Sequence, residues 1–165
     1  MKKKKNSPPK RDLIEGWFDG CCEPRNPGGH GSWGALLKKN GRVIWKSQGY
    51  CGFGPTISNN VAEYSGFIAL LQEAQNQFGD LIIRGDSKLV VCQIGGSWKI
   101  HGGLYVPFYW EAKALWKYQE LFRKGCRLTI EWIPRDDNSE CDVLSKGVLH
   151  ERGIEFRIQP DGDWK

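Results

Sequence analysis

The sequence lacks the residue patterns of several protein classes. Its 165 residues contain only 3 His, and its 6 Cys include no C-x-x-C pair, so neither a zinc site nor a catalytic pairing of His with Ser or Cys is indicated. No apolar run approaches the roughly 20 residues that cross a bilayer, and the N-terminus has no apolar signal core. Because repeats and domain linkers are also missing, we expect one cytosolic, monomeric domain with reduced cysteines and no membrane partner.

Acidic residues are missing from the first 11 positions. The segment MKKKKNSPPKR holds six of the 24 Lys and Arg residues, which leaves 18 basic against 19 acidic residues in the rest of the chain. A Lys run followed by Ser-Pro-Pro predicts a disordered basic arm over residues 1–11, which either binds polyanions or serves only solubility. We expect the folded domain over residues 12–150 and a poorly packed tail over residues 151–165.

Apolar patterning predicts the secondary structure of this domain. Alternating apolar residues and turn signals, including an Asn-Gly pair at 40–41, predict three antiparallel strands at residues 13–22, 31–37 and 43–50. The patterns that follow predict, in order, helix 61–78, strand 81–85, helix 87–94, an irregular Gly-rich connection, helix 106–122, strand 126–133 and helix 139–149. The expected fold is α/β, with a mixed five-stranded sheet flanked by about four helices.

Four carboxylates stand where these elements begin or end. Three of them have a plain structural interpretation. Glu63 could close a capping box with Asn60, and Asp86 could be the N-cap of the helix after it. Asp142 could be stabilised by the dipole of the helix in whose first turn it lies. Asp19 differs, because it lies in a predicted strand, where Asp is disfavoured, and no helix follows it.

The four acids are better explained together. If the fourth strand lies beside the first, Asp19 and Asp86 are neighbours, and a fold keeps such a pair together only with a shared proton or a bound cation. A site whose ligands are all carboxylate oxygens selects Mg²⁺ or Mn²⁺. The sequence therefore predicts a hard-cation site built from carboxylates.

Four ordered motifs carry a family resemblance. They are FDG followed by NPGG, then SNNVAEY, GDSKLVV and NSECDVLS, and each of the four acids lies in or beside one of them. Over roughly residues 13–149 the chain resembles a type 1 ribonuclease H, which implies the ribonuclease H-like fold. The resemblance implies that Asp19, Glu63, Asp86 and Asp142 bind two divalent metal ions, Mg²⁺ with Mn²⁺ as the alternative. It also implies hydrolysis of the RNA strand of RNA/DNA hybrids, leaving 5′-phosphate and 3′-hydroxyl ends.

Further substrate contacts are implied by the same motifs. Asn26 and Asn60 match positions where the family uses amides near the 2′-hydroxyls and bases of the hybrid, and Ser58 matches a position near a phosphate of the DNA strand. A primary amide suits a 2′-hydroxyl, which both donates and accepts. The alternatives are that Asn26 serves the turn before Pro27 and that Asn60 caps the helix.

The chain departs from the commonest family pattern at three places. One extra residue separates Asp19 from Asn26, which bears on substrate contacts. The Lys- and Trp-rich helical protrusion of many relatives is missing, leaving Trp98 and Lys99 as a stacking and phosphate pair, with burial of Trp98 in the core as the alternative. The loop before Asp142 has no His, so Arg135 is the candidate for contacting the departing phosphate, with a salt bridge to its acidic neighbours as the alternative.

Two other functions stay open at the level of sequence. The same acids would serve a nuclease of this fold that cleaves another duplex, such as double-stranded RNA or branched DNA. A non-catalytic hybrid-binding module would keep the fold without needing all four acids.

Overall fold

The computed structural model describes residue 7 and residues 9–157. The elements, numbered along the chain, are β1 (Leu13–Glu23), β2 (His30–Lys39), β3 (Arg42–Phe53), α1 (Asn59–Ala74), β4 (Asp80–Gly85), α2 (Lys88–Ile94), α3 (Val106–Phe122), β5 (Leu128–Trp132), a 3₁₀ turn (Arg135–Asn138) and α4 (Ser139–Glu151). None of the helices in these residues combines the length and apolarity that crossing a membrane requires.

The five strands form one mixed sheet in the order β3-β2-β1-β4-β5. Strands β1, β2 and β3 are antiparallel, whereas β4 runs parallel to both β1 and β5. The register of β1 against β4 ends with Phe18 opposite Gly85, so Asp19 and Asp86 come next on adjacent strands. This arrangement confirms the predicted fold and the predicted proximity of the two aspartates.

The predicted hairpin between β2 and β3 is also confirmed. Asn40 and Gly41 both have positive φ, 50° and 84°, which is the backbone that an Asn-Gly turn supplies at little steric cost. The side chain of Asn40 accepts from the amide of Leu13 at 2.9 Å, so the hairpin tip is also joined to the start of β1.

Two glycines let helices approach the sheet closely beside Asp19. A Cβ on Gly20 would lie 2.3 Å from the amide nitrogen of Glu63, and a Cβ on Gly34 would lie 2.5 Å from Cβ of Leu144. Helix α1 therefore rests directly on β1, and α4 rests directly on β2, since no side chain separates their backbones. These contacts carry the acidic residues of α1 and α4 to the centre of the sheet.

A buried arginine closes the end of α1. Arg123 is 1% exposed, and its guanidinium donates to the carbonyls of Ala74 and Gln77, both at 2.6 Å, and of Gly79 at 2.8 Å. Helix α1 ends at Ala74, so the prediction that it continues to residue 78 is wrong. After Ala74 the amides of Asn76 and Gln77 bond three residues back, to the carbonyls of Glu73 and Ala74, which ends the helix in a turn, and Arg123 supplies further donors to the carbonyls there.

The other helices and strands differ from the predictions mainly at their ends. Strand β5 begins at Leu128 and not at residue 126, because the amide of Cys126 bonds to the carbonyl of Arg123 in a turn. The 3₁₀ turn at Arg135–Asn138 was not predicted. The connection after α2 is irregular, as predicted, but Trp98 is 47% exposed, so its alternative assignment to the core is wrong.

The chain ends are described in part. The predicted disordered arm falls mostly on residues 1–6 and 8, which lie outside the described residues, as do residues 158–165 of the predicted tail. The prediction of a poorly packed tail is wrong at Ile154 and Phe156, whereas the other residues of 152–157 are exposed. Phe156 is 8% exposed, packs against Cys21 and Leu149, and stacks on His150 with ring centroids 4.4 Å apart. An aromatic side chain without helical periodicity around it gave no sign of this packing.

Candidate active site

The four acids predicted from the sequence line one cleft. The cleft has a volume of about 650 Å³ and also contains three basic side chains, Arg135, Lys146 and Arg157. Its acidic lining includes Asp19, Glu63, Asp86 and Asp142. Four different elements or element ends contribute these carboxylates, so only the folded sheet brings them together.

Asp19 lies deepest, in the middle of β1 and 4% exposed. Its Oδ2 accepts a 2.8 Å hydrogen bond from Ser145 Oγ on α4. Burial raises the pKa of Asp19 well above its usual range, and the nearby carboxylates of Asp86 and Glu63 raise it further. Ionising Asp19 is therefore costly unless positive charge arrives in the cleft.

Glu63 lies in the second turn of α1 and is 7% exposed. The alternative interpretation of Glu63 as part of a capping box is wrong, because Ser58 is the N-cap and accepts from the amide of Val61 at 3.2 Å. Glu63 Oε1 instead accepts from Asn59 Nδ2 at 3.1 Å. Burial raises the pKa of Glu63 to about 7, while contacts with Ser87 and Asn59 oppose part of that rise and the charge of Asp86 adds to it.

Asp86 follows the last residue of β4 and is not a helix cap. Ser87 is the N-cap of α2 and accepts from the amide of Val90 at 3.2 Å, so the alternative reading of Asp86 is wrong. Asp86 Oδ1 accepts from Asn138 Nδ2 at 3.0 Å, and the same amide also donates to the carbonyl of Phe18 at 2.8 Å. Asn138 thus joins the end of β4 to β1 and fixes the orientation of Asp86.

Asp142 lies in the first turn of α4 and contacts two cations. Its Oδ2 accepts from Lys146 Nζ at 2.9 Å, and its Oδ1 lies 3.6 Å from the guanidinium of Arg135. Arg135 therefore pairs with Asp142 and not with the neighbouring acids that the sequence suggested. Asp142 Oδ1 is buried and has no hydrogen-bond partner within the described part of the chain.

This donor set fits hard divalent cations. The ligands on offer are carboxylate oxygens, one of which is buried without a hydrogen-bond partner, and burial together with neighbouring acids raises the pKa of Asp19 and of Glu63. Within residues 7 and 9–157, no three Asp, Glu, His or Cys side chains converge closely enough to surround one ion. We therefore expect ion binding to move at least one of these carboxylates inward.

Comparison with known proteins agrees with this geometry. A sequence profile of the family described as reverse transcriptase-like matches residues 17–148. The N-terminal RNase H domain of Rv2228c from Mycobacterium tuberculosis, solved as a fusion with maltose-binding protein, is 30% identical, with a TM-score of 0.72. That alignment covers 86% of this chain and 96% of the solved one. The chain belongs to the ribonuclease H family.

Two further proteins are similar to the chain over most of its length. The ribonuclease H of Hyphomonas neptunium is 27% identical over 158 residues, which cover 89% of this chain and 96% of that protein. LC11-RNase H1, solved in complex with an RNA/DNA hybrid, has the same fold, with 23% identity and a TM-score of 0.71. Full-length Rv2228c, a bifunctional protein, is much longer: its match, 38% identical over 93 residues, spans 24% of its length.

The substrate-contact residues predicted for this ribonuclease H family member fall in different places. Asn26 lines the cleft, and its Oδ1 accepts from the amide of Asn59 at 2.9 Å. Asn60 is exposed on the first turn of α1 and is not part of the cleft lining, whereas the preceding Asn59 is. Ser58 caps α1. These roles in substrate binding stay predictions.

The pair Trp98 and Lys99 lies apart from the carboxylates. Both line a second cavity of about 540 Å³, together with Tyr105 and His101, which shares no lining residue with the acidic cleft. The structure therefore does not bring this pair to the carboxylate cluster. Any contact it makes with substrate involves a part of the ligand outside that cleft.

Sequence reasoning missed the residues that hold the carboxylates in place. They are Asn59, Asn138, Ser145 and Lys146. Lys146 follows Asp142 by four residues on a predicted helix, which is a recognisable ion-pair spacing. Asn138 and Ser145 lie in the NSECDVLS motif, but their partners are on distant strands, so spacing along the chain gives no signal for them.

Proposed function

We propose that this protein is an endoribonuclease that hydrolyses the RNA strand of RNA/DNA hybrids with two divalent cations, leaving 5′-phosphate and 3′-hydroxyl ends. The observation that carries this proposal is that Asp19, Glu63, Asp86 and Asp142 line one cleft. A non-catalytic module would have no need to hold four carboxylates, two of them with a raised pKa, beside one another.

The same four carboxylates are the groups that would hold the metal ions. Bound divalent cations lower the pKa of an attacking water and neutralise the charge that develops on the scissile phosphate and the leaving oxygen. Mg²⁺ suits the donor set best, and Mn²⁺ has the same preference for oxygen ligands. No serine or cysteine nucleophile is required for such a displacement.

The chain's own residues orient the ligands and the substrate. Ser145 and Asn138 hold Asp19 and Asp86 through hydrogen bonds, so the two carboxylates present fixed oxygens to the cleft. Lys146 balances Asp142 from within α4. Arg135 is 69% exposed at the cleft and can move from Asp142 to the departing phosphate, the role proposed for it from the sequence.

The choice of a hybrid substrate rests on the amides of the cleft. Asn26 keeps its side-chain Nδ2 available beside Asn59, and primary amides can both donate to and accept from a 2′-hydroxyl. LC11-RNase H1, which shares the fold, binds an RNA/DNA hybrid. All four carboxylates of the proposed metal site come from one chain, which supports action as a monomer. We also propose a cytosolic location for the enzyme.

The test is cleavage of end-labelled RNA/DNA hybrid in Mg²⁺ by the wild type and by Asp86→Asn. We expect the wild type to cut the RNA strand and the variant to lose at least about a hundredfold in rate, since Asn cannot supply a charged ligand. Single-stranded RNA, double-stranded RNA and branched DNA complete the substrate panel. Equal activity of the two proteins on hybrid, or a preference for another duplex, would overturn the proposal.

A further inference from the structure

The segment after α4 forms one wall of the acidic cleft. Residues 152–157, called here the C-terminal strap, turn back from α4 toward the end of β1. Phe156 anchors the strap in a small apolar cluster with Cys21 and Leu149, and the next residue, Arg157, lines the cleft. The strap thus places a cation at the cleft, although its sequence carries no recognised motif.

Arg157 is tied to the end of β1 by its backbone and its side chain. Its amide donates to Glu23 Oε2 at 2.9 Å, while its guanidinium donates to the carbonyl of Cys22 at 3.2 Å and to Glu23 Oε1 at 3.4 Å. The side chain is 43% exposed, so part of the guanidinium faces solvent. A planar guanidinium with open donors is the group that proteins use to bind phosphate in a fixed direction.

The basic side chains of the cleft differ in how they are engaged. Lys146 and Arg135 both face Asp142, one of the four carboxylates proposed to bind metal. Arg157 faces Glu23, which also lines the cleft but stands apart from those four acids. An anion that approaches Arg157 therefore competes with a single carboxylate at 3.4 Å and leaves the contacts of Asp142 unchanged.

The position of Arg157 indicates which part of a nucleic acid it meets. Glu23 is the last residue of β1, four residues after Asp19 and three before Asn26, and all three line the cleft. The four residues of extended chain from Asp19 to Glu23 span about 13 Å, so the guanidinium beside Glu23 stands along the cleft from the deepest carboxylate and not on it. Arg157 is thus within reach of a backbone phosphate adjacent to the one that the carboxylates address.

We propose that Arg157 and the C-terminal strap form a phosphate subsite that binds a backbone phosphate of the RNA strand next to the scissile one. The subsite rests on the proposed function, because it takes its ligand from the same bound hybrid. On binding, the guanidinium exchanges Glu23 Oε1 for a phosphate oxygen, while the backbone hydrogen bond from Arg157 to Glu23 keeps the strap docked.

The experiment measures KM, kcat and the salt dependence of hybrid cleavage for wild type, Arg157→Gln, Arg157→Lys and Glu23→Gln. Arg152→Gln is the matched control, because Arg152 belongs to the same strap but lies over the ring of Tyr50 at 3.6 Å and not in the cleft. For Arg157→Gln we expect KM to rise about tenfold with kcat unchanged, and the slope of log KM against log salt to fall by about 0.7 to 0.9. Arg157→Lys keeps the charge and restores the slope.

Glu23→Gln separates phosphate binding from simple bracing of the β1 end. The Gln side chain still accepts from the amide of Arg157, but it no longer competes for the guanidinium, so KM should fall or stay unchanged. If Arg157 only braces the β1 end through Glu23, Glu23→Gln will raise KM as Arg157→Gln does, and the proposal fails. It also fails if Arg157→Gln and Arg152→Gln behave alike. A wild type that cleaves no hybrid would overturn the proposed function itself, which distinguishes the two failures.

Discussion

Ser145 Oγ donates a 2.8 Å hydrogen bond to Asp19 Oδ2 across 126 residues of chain. Ser145 is 0% exposed, and its backbone carbonyl in turn accepts from Ser32 Oγ at 2.6 Å. The last helix is therefore joined to both of the first two strands at the deepest carboxylate. This bond lowers the pKa of Asp19 against the effects of burial and of the neighbouring acids, so it favours the form that binds cations.

Replacing Ser145 with Ala should weaken metal binding without unfolding the protein. The loss of this hydrogen bond makes Asp19 harder to ionise and frees its orientation, so we expect the Mg²⁺ concentration for half-maximal hybrid cleavage to rise about tenfold to a hundredfold. Saturating Mg²⁺ should recover much of the rate. Ser97→Ala, at an exposed hydroxyl outside the cleft, is the control. An unchanged Mg²⁺ requirement in Ser145→Ala would contradict this role.

The pH dependence of stability should report the buried Glu63. Because the pKa of Glu63 is raised to about 7 in the folded protein, its stabilising contribution is present at low pH and is lost as pH rises through about 7. In EDTA, Glu63→Gln should therefore be more stable than wild type at pH 8, by on the order of 2–3 kcal/mol. The difference should shrink toward zero near pH 5.

Urea denaturation at the two pH values measures this difference. Glu73→Gln, on the same helix but outside the cleft, should show no such pH-dependent gain. Adding Mg²⁺ at pH 8 should stabilise wild type more than Glu63→Gln, since the variant lacks one charged ligand. A gain for Glu63→Gln that is equal at pH 5 and pH 8 would contradict the assignment.

Arg123, far from the carboxylates, should be a position where substitution lowers stability. Arg123→Met leaves the carbonyls of Gln77 and Gly79 without their side-chain donor and leaves Ala74 only the amide of Gln77, and each unsatisfied buried group costs about 1–3 kcal/mol. We expect a loss of at least about 3 kcal/mol in the free energy of unfolding by urea denaturation. Lys124→Met, at the exposed neighbour, should stay within about 0.5 kcal/mol of wild type. Similar losses in both variants would show that the hydrogen bonds of Arg123 contribute little.

The sequence predicts those features of this fold that depend on local patterns. Apolar alternation predicts the strands, and the Asn-Gly turn predicts the hairpin between β2 and β3. Asp19 stands out because no helix cap explains a carboxylate inside a strand. This exception indicates that the four acids share one site. By contrast, the approach of α1 and α4 to the sheet depends on the absent side chains of Gly20 and Gly34, which have meaning only once the elements are packed.

The residues that could not be predicted have partners that are distant in sequence. Ser145 bonds to β1, Asn138 bonds to β1 and to Asp86, and Arg123 bonds to carbonyls at the end of α1. Each partner is selected by the sheet order and the helix packing, which spacing along the chain does not encode. The capping alternatives failed for a related reason. Ser58, two residues before Asn60, caps α1, and Ser87, one residue after Asp86, caps α2.

Two adjacent asparagines should have separable effects on hybrid cleavage. The side chain of Asn59 donates to Glu63, and its backbone amide donates to Asn26 Oδ1. Because Asn59→Ala removes the hydrogen bond to a proposed metal ligand, it should lower kcat about tenfold or more. Asn60 is exposed and contacts none of the four acids, so Asn60→Ala should raise KM and leave kcat unchanged. Steady-state kinetics at saturating Mg²⁺ measures both. A fall in kcat for Asn60→Ala that matches the one for Asn59→Ala would contradict this separation.

The basic arm, residues 1–11, should contribute to the affinity for the hybrid in proportion to its positive charge. Deletion of residues 2–10 removes five Lys residues but keeps Arg11, which lies 3.7 Å from Asp80. Because each neutralised phosphate contributes about 0.7 to 0.9 to the dependence of log affinity on log salt, the deletion should raise KM at low salt and flatten that dependence. It should leave kcat unchanged, since the carboxylates of the cleft are not altered. Substitution of the four residues Lys2 to Lys5 by Ser, at constant chain length, should reproduce most of the effect. A steep salt dependence in both variants would show that the arm serves solubility and that the folded domain holds the hybrid by itself.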